Sequence, residues 1–200
     1  MKKKFESEIR ILIDDMGEFL KKMESFNSKV IYYYKFNDHI YLPKNPSSNW
    51  DPNRKTMRIR EHLLPDKVSR ILFTENDIIS GKTFQFKQSK FPEGKIELYK
   101  GDKKSAEILL LSWDFQPHFT IKKTSGKLFE ILRPLKFIVA LEQIDQLGYS
   151  AEIELWGEDL TKIENTFLEI ISLLDIPMEN VTSNTLPYIV AEHLDLLKFD

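Results

Sequence analysis

Short segments of β-strand type recur along most of the sequence, and their spacing limits the fold more than any other feature. Roughly ten of them are separated by turn-forming residues, with only a few helical patterns between them. Parallel sheets need a helix after nearly every strand, so this spacing favours an antiparallel barrel or an antiparallel sandwich. The predicted strands cover 5–10, 30–36, 39–42, 56–64, 67–74, 82–88, 95–99, 118–123, 127–132, 135–143 and 149–156.

Helices and turns are predicted at the remaining positions. Apolar residues at helical spacing predict helices over 15–27 and 103–113, from 158 to before Pro177, and across 188–197. Asn37-Asp38 predicts a hairpin turn, and Ser125-Gly126 predicts a break between two strands. Prolines, serines and asparagines over 43–55 indicate a long loop.

Composition bounds the possible functions. A chain of 200 residues with 42% hydrophobic residues suits one domain over 1–200, and 29 basic against 31 acidic residues exclude bulk attraction to nucleic acid. With no cysteine, disulfides, thiolate metal sites and cysteine nucleophiles are excluded, and the four histidines lack metal-ligand spacing. No signal sequence and no membrane-spanning run is recognised, so we expect a cytoplasmic protein without membrane partners.

Charged residues alternate along the first strand. Glu6, Glu8 and Arg10 fall on one face, because residues two apart on a strand point the same way. Such a row taken alone is typical of a strand surface in water. Four further segments carry charges at similar spacing: Arg58-x-Arg60, Lys95-x-Glu97, Lys122-Lys123 and Glu152-x-Glu154.

Several charged rows together favour a barrel with a polar lumen, because one row of each barrel strand must point inward. In a sandwich the same rows would face water. Carboxylates suit a hard cation such as Mg²⁺ or Mn²⁺, and Arg and Lys suit phosphate oxygens. A metal polyphosphate would satisfy both kinds of side chain.

The segment Glu6-Ser7-Glu8-Ile9-Arg10 resembles the ExExK signature of the CYTH superfamily, the triphosphate tunnel metalloenzymes. That superfamily includes class IV adenylyl cyclases, thiamine triphosphatases and inorganic triphosphatases. Further blocks resemble it in the same order, and the blocks 119–123 and 147–154 are most similar to the cyclase branch. These blocks are Ile40-Tyr41-Leu42, Arg58-Ile59-Arg60-Glu61, Lys87, the strand with Glu97, Phe119-Thr120-Ile121-Lys122-Lys123, Leu141-Glu142-Gln143-Ile144, and Leu147-Gly148 through Glu154.

The resemblance implies an α+β fold in which a closed, eight-stranded antiparallel barrel with peripheral helices binds a triphosphate and Mg²⁺ or Mn²⁺. It implies an adenylyl cyclase-like reaction, with hydrolysis of thiamine triphosphate or inorganic triphosphate as the alternative, and a homodimer. Implied metal ligands come from Glu6, Glu8, Glu97, Glu142, Glu152 and Glu154. Implied triphosphate-binding residues are Arg10, Arg58, Arg60, Lys87 and Lys123, and implied catalytic residues are Glu8, Arg10 and Glu142.

Three positions depart from the family pattern. Arg10 replaces Lys, Glu142 replaces Asp, and Lys123-Thr124-Ser125 replaces Lys-x-Arg. Either Lys127, Arg133 or another cation substitutes for the missing Arg, or the substrate or rate differs. The missing Arg also motivates a third hypothesis, a non-catalytic protein that binds a polyphosphate or nucleotide.

Overall fold

The chain folds into a closed antiparallel β-barrel with helices packed on its outside. The computed structural model describes residues 5–45, 50–133 and 135–197. Its strands are β1 (Phe5–Ile13), β2 (Lys29–Pro43), β3 (Lys55–Leu64), β4 (Ser69–Ser80), β5 (Gln85–Ser89), β6 (Ile96–Gly101), β7 (Phe115–Ile131), β8 (Phe137–Ile144), β9 (Gly148–Gly157) and β10 (Val181–Thr182). Its helices are α1 (Met16–Ser25), α2 (Lys103–Ser112), α3 (Leu160–Leu173) and α4 (Leu186–His193), with a 3₁₀ turn at Met178–Asn180.

Eight of these strands form the barrel. Their spatial order is β1-β5-β4-β3-β2-β7-β8-β9, and β9 pairs antiparallel with β1 to close the ring. The other two strands lie outside this ring, with β6 paired to β4 and β10 paired to β1. The predicted fold class and the eight-stranded barrel are therefore confirmed, and the sandwich is excluded. None of the described helices is long and apolar enough to cross a membrane.

The hydrophobic cores lie between the outer face of the barrel and the helices. Outward-pointing residues such as Ile9, Val139 and Ile153 pack against α1 and α3. On another part of the wall, Ile59 and Ile71 pack against α2. Because successive side chains on a strand alternate between faces, burying the apolar row outside sends the charged row into the lumen.

Two predicted breaks in strands are wrong. Asn37-Asp38 is not a turn, because β2 is continuous and Asn37 and Asp38 pair with Glu61 and Arg60 of β3. The ion pair that Asp38 makes with Arg60 compensates for the poor strand propensity of Asp.

The predicted break at Ser125-Gly126 is also wrong, since β7 continues through it with an irregularity in register between Lys123 and Ser125. Gly126 has a packing role there. A Cβ atom at Gly126 would lie 2.1 Å from the Tyr34 ring, so only glycine admits the ring at this distance. Glycine therefore marks a close side-chain approach at this point of the sheet.

The predicted loop over 43–55 joins β2 to β3, and its residues 46–49 lie outside the described part of the chain. The four predicted helices are present with boundaries within a few residues, except that the last ends earlier than predicted. It spans Leu186–His193.

Helix α4 covers one end of the barrel. Its Leu186 and Val190 form an apolar cluster with Ile40, Ile121 and Ile144 from three barrel strands. Strand β9 begins beside Ile144 and runs away from this cluster, so Glu152 and then Glu154 lie progressively farther from α4. The lumen therefore has an apolar covered end and a polar end, called here the mouth.

Candidate active site in the barrel lumen

The lumen contains a cavity of about 370 Å³ whose wall carries many charged side chains. All the site residues predicted from the sequence line it except Glu97. They come from six strands, β1, β3, β5, β7, β8 and β9, whose inward rows converge as the barrel closes. The acidic members lining the cavity are Glu6, Glu8, Glu142, Glu152 and Glu154, and the basic members are Arg10, Arg58, Arg60, Lys87 and Lys123.

Three carboxylates cluster toward the mouth. Glu6, Glu8 and Glu154 each offer one oxygen, and these oxygens lie within 4.8 Å of one another. Burial, together with Glu154 and Glu8, raises the pKa of Glu6 from its ordinary 4.5 to about 8. The pKa of Glu154 is raised by burial and by Glu8. A donor set made of carboxylate oxygens fits Mg²⁺ or Mn²⁺.

Two neighbours hold this acidic cluster in place. Lys87 forms a buried ion pair with Glu8, and although burial opposes the change, the charge and hydrogen bond of Lys87 lower the pKa of Glu8. Gly94 packs its backbone against Glu6 at a positive φ of 74°, and a Cβ there would lie 2.2 Å from Glu6 Oε1. The positive φ favours glycine at this position, and a larger residue would displace the Glu6 carboxylate.

A second group of charges lies on β2 and β3. Arg60 donates to both carboxylate oxygens of Asp38, at 2.8 Å from Nε and 2.7 Å from Nη2. Arg58 Nε lies 3.6 Å from Asp38 Oδ2. Burial, followed by the charge of Arg60, lowers the pKa of Arg58 to about 10, whereas Arg60 holds the pKa of Asp38 far below its usual range despite burial.

Sequence reasoning missed Asp38. The prediction of a turn at Asn37-Asp38 removed it from any strand face. Had β2 been treated as one strand, the alternation of Tyr34, Phe36, Asp38 and Ile40 would have placed Asp38 on the inward row. The signal is therefore present in the sequence, although turn propensity outweighs it.

Glu142, on β8, forms hydrogen bonds with side chains from three other strands, β1, β2 and β7. It accepts hydrogen bonds from Lys123 Nζ at 2.5 Å, Tyr34 Oη at 2.7 Å and Arg10 Nη1 at 3.3 Å. Burial and Glu142 raise the pKa of Tyr34, so its hydroxyl remains a donor. Burial lowers the pKa of Lys123 to about 8.

Arg10 is also held by two further side chains. It donates to Ser150 Oγ at 3.0 Å and to Glu152. With Glu142 as a third partner, the predicted catalytic residues Arg10 and Glu142 orient each other within the wall. The replacement of Lys by Arg thus supplies a side chain that can satisfy several acceptors at once.

Glu97 is the predicted metal ligand that the structure places elsewhere. It lies on β6, outside the ring of eight strands, where its side chain is 40% exposed and accepts from Arg70 Nη1 at 2.6 Å. Lys95, two residues earlier, does line the cavity. We therefore leave Glu97 out of the proposed metal site.

Neither of the named cations replaces the arginine that the family pattern has at Ser125. Lys127 points away from the lumen and lies with its Nζ 6.0 Å from the centre of the Tyr33 ring. Arg133 is exposed and lies outside the cavity wall. Among the described residues, the arginines and lysines that line the cavity are Arg10, Arg58, Arg60, Lys87, Lys95 and Lys123.

The raised pKa of Glu6 predicts how the metal-free protein responds to pH. Between about pH 4.5 and pH 8 the unfolded chain has released a proton that folded Glu6 retains, so this residue lowers stability as pH rises through that window. Glu6→Gln removes the effect. We expect the variant to be more stable than wild type by roughly 1 kcal/mol at pH 8, after discounting for partial exposure, and about equal at pH 5.

The measurement is chemical denaturation of both proteins at the two pH values in the presence of a chelator. Comparing the proteins at each pH cancels the contributions of titrating groups that do not interact with Glu6, such as His62, whose pKa is lowered by burial. A stability difference that is the same at both pH values would contradict the assignment.

Similar solved structures cover nearly the whole chain. A conserved hypothetical protein from Pyrococcus furiosus is 20% identical with a TM-score of 0.69, and the match covers 92% of this chain and 98% of that one. A candidate adenylate cyclase from Vibrio parahaemolyticus is 14% identical with a TM-score of 0.67, covering 95% and 99%. This chain shares their fold. At these identities the likeness concerns the fold alone. The observed fold is the closed barrel that the CYTH resemblance implies.

Another similar structure is HpAC1 from Hippeastrum, a candidate adenylyl cyclase with a dominant triphosphatase activity. It is 8% identical with a TM-score of 0.63, and the match covers 94% of this chain and 95% of that one. No protein-family model matches the sequence, and comparison with the curated proteins gives no match.

Proposed function

We propose that this protein is a CYTH-type enzyme that uses Mg²⁺ or Mn²⁺ to act on a triphosphate inside the barrel. The observation that carries the proposal is one cavity with a three-carboxylate cluster toward its mouth and buried Arg and Lys side chains farther along its wall. A polyanion with a bound cation would neutralise both sets of charges. Neither charge set would be favourable in a lumen that bound only an apolar molecule.

Each charged group has a distinct task in this proposal. Glu6, Glu8 and Glu154 would hold the cation, which when bound would neutralise phosphate charge and orient the phosphate chain. Arg58 and Arg60 present planar guanidinium groups that can donate pairs of hydrogen bonds to phosphate oxygens. Lys87 and Lys123 add point charges that would stabilise negative charge developing on the leaving oxygens.

The leading reaction is cyclisation of ATP. The ribose 3′-oxygen attacks the α-phosphorus, the bond from that phosphorus to the α,β-bridging oxygen breaks, and pyrophosphate leaves while the hydroxyl proton passes to solvent. The resemblance of the blocks 119–123 and 147–154 to the cyclase branch supports this reaction, and so does the likeness in fold to a candidate adenylate cyclase. The chain itself would contribute alignment of the phosphates and stabilisation of charge.

Hydrolysis is the second candidate, and the fold shared with HpAC1, with its dominant triphosphatase activity, favours it. A water oxygen would attack the γ-phosphorus, the bond to the β,γ-bridging oxygen would break, and a diphosphate and orthophosphate would form with release of a proton. The same cations would stabilise the leaving diphosphate. The two reactions differ in the position of the attacking oxygen rather than in the phosphate-binding residues.

Product analysis distinguishes the candidates. The purified protein is incubated with ATP, thiamine triphosphate or tripolyphosphate and with Mg²⁺ or Mn²⁺, and the products are separated by chromatography. We expect metal-dependent turnover of at least one substrate and a loss of about 100-fold or more in Glu8→Gln, which removes a carboxylate from the cluster.

Cyclic AMP with pyrophosphate would establish the cyclase, and orthophosphate with a diphosphate would establish the hydrolase. Saturable binding without turnover of any substrate with either metal would contradict both enzymatic proposals and leave the non-catalytic binder. The homodimer and the cytoplasmic location remain predictions, which size-exclusion chromatography with light scattering and imaging in cells would test.

A further inference from the structure

An aromatic ladder runs along the inward face of β2 from the mouth toward the buried cations. The rings of Tyr32 and Tyr34 are stacked with centres 6.1 Å apart, and those of Tyr34 and Phe36 are stacked with centres 5.2 Å apart. Tyr34 and Phe36 are buried, whereas Tyr32 is 42% exposed and still lines the cavity. The outermost ring of the ladder therefore presents apolar surface to the lumen.

The inner end of the ladder is in contact with two cations. The Arg60 guanidinium carbon lies 3.8 Å from the centre of the Phe36 ring, and Lys123 Nζ lies 4.9 Å from it. Phe36 lies four residues after Tyr32, which corresponds to about 13 Å along the wall. A ligand that contacts both ends must be elongated, with its negative charge at the inner end.

The wall beside Tyr32 is apolar over three adjacent strands. In the register of the sheet Tyr32 lies opposite Leu128, Leu128 lies opposite Ala140, and Ala140 lies opposite Glu152. All four side chains line the cavity. The small side chain of Ala140 and the flat ring of Tyr32 leave an apolar surface in this part of the cavity wall.

The ladder is held rigidly behind Tyr32. The hydroxyl of Tyr34 donates to Glu142 at 2.7 Å, and Glu142 is fixed in turn by Lys123 and Arg10. Tyr32 therefore stacks on a ring that cannot move freely. A platform arranged in advance loses little conformational entropy when a second ring stacks on it.

We propose that Tyr32, with Leu128 beside it, is a stacking platform for a planar aromatic ring carried by an organic triphosphate. The inference rests on the proposed function and narrows it, because inorganic tripolyphosphate has no ring to place there. Adenine and the rings of thiamine share the required chemistry, a flat π surface. Stacking of a base on an aromatic side chain stabilises a complex enough to change affinity by about ten-fold or more.

The test uses calorimetric titration of the full-length protein with the Mg²⁺ complexes of ATP, thiamine triphosphate and tripolyphosphate, with product formation checked by chromatography. Tyr32→Leu removes the ring and keeps an apolar side chain. The matched control is Tyr33→Leu, which alters the adjacent residue, 62% exposed and directed away from the lumen toward Lys127. Tyr32→Phe keeps the ring without its hydroxyl.

We expect Tyr32→Leu to weaken binding of a ring-bearing triphosphate about ten-fold and to leave tripolyphosphate within about two-fold of wild type. Tyr32→Phe and Tyr33→Leu should both bind like wild type. A loss confined to ATP identifies a purine, a loss confined to thiamine triphosphate identifies the rings of thiamine, and loss of both indicates a platform that accepts either ring.

Equal weakening of tripolyphosphate and the organic ligands by Tyr32→Leu would overturn the inference, and so would unchanged binding of all three. If the wild type binds none of the three ligands, the proposed function fails, independently of Tyr32. If it binds tripolyphosphate and Tyr32→Leu changes nothing, the phosphate site stands and only the platform is disproved.

Discussion

Asp38→Asn is expected to lower the free energy of unfolding of the ligand-free protein by about 3 kcal/mol, because it leaves two largely buried arginines without their carboxylate. Asp38 is 4% exposed, and its two oxygens accept from Arg60 while Arg58 Nε lies 3.6 Å away. Urea denaturation measures the loss. At one ligand concentration, tripolyphosphate with Mg²⁺ should raise the free energy of unfolding of Asp38→Asn more than that of wild type, because phosphate oxygens can accept the hydrogen bonds that Asp38 otherwise accepts.

Asp77→Asn is the matched control, since Asp77 also pairs with an arginine, Arg54, but has a side chain that is 43% exposed. Exposed ion pairs contribute little, so the control should lose no more than about 1 kcal/mol. Equal losses in the two variants would show that Asp38 is not a buried counter-charge. Equal stabilisation of Asp38→Asn and wild type by the same ligand concentration would show that phosphate does not replace the Asp38 carboxylate at Arg58 and Arg60.

Glu154→Gln is expected to weaken Mn²⁺ binding by about 100-fold or more while leaving the metal-free protein at least as stable as wild type. The two effects separate because the main influences on Glu154 are burial and the like charge of Glu8. Removing the charge of Glu154 relieves its repulsion with Glu8. The same change at Glu8 would leave Lys87 without its ion-pair partner. Electron paramagnetic resonance of Mn²⁺ without substrate measures binding, and thermal unfolding with a chelator measures stability.

Glu97→Gln serves as the control for the metal site. Glu97 was predicted from the sequence as a ligand, yet it pairs with Arg70 outside the ring of barrel strands. We expect unchanged Mn²⁺ affinity in this variant. Loss of affinity in Glu97→Gln, or retention of wild-type affinity in Glu154→Gln, would contradict the assignment of the cluster Glu6, Glu8 and Glu154.

The lumen positions that alternation alone predicts are those on strands with an unambiguous period of two. Arg58 and Arg60 alternate with Met57 and Ile59, and burying the apolar pair outside leaves one direction for the arginines. The inward-facing residues of β1 and β9 are predictable in the same way, because Ile9 and Ile153 are fully buried against the helices. Alternation within a single strand was sufficient to predict which side chains face the lumen wherever one face of that strand was clearly apolar.

The order in which the strands pair limited the prediction of other lumen residues. Lys95-x-Glu97 has the same spacing as Glu152-x-Glu154, but β6 pairs with β4 outside the ring whereas β9 closes it. That distinction depends on contacts between distant segments, which the period of a single strand does not encode. Asp38 was missed for a different reason, because its preference for turns is overridden by a salt bridge to a residue 22 positions later.

The barrel has its hydrophobic cores on the outside and its charges on the inside. Neighbouring residues in one strand therefore serve different purposes, one for folding and the next for the cavity. Ile9 affects whether the chain folds, and Glu8, one position earlier, faces the cavity. Laboratory evolution could therefore redesign the lumen for another anion by changing every second residue. The apolar positions between them would keep the scaffold intact, provided each buried cation retained an acceptor.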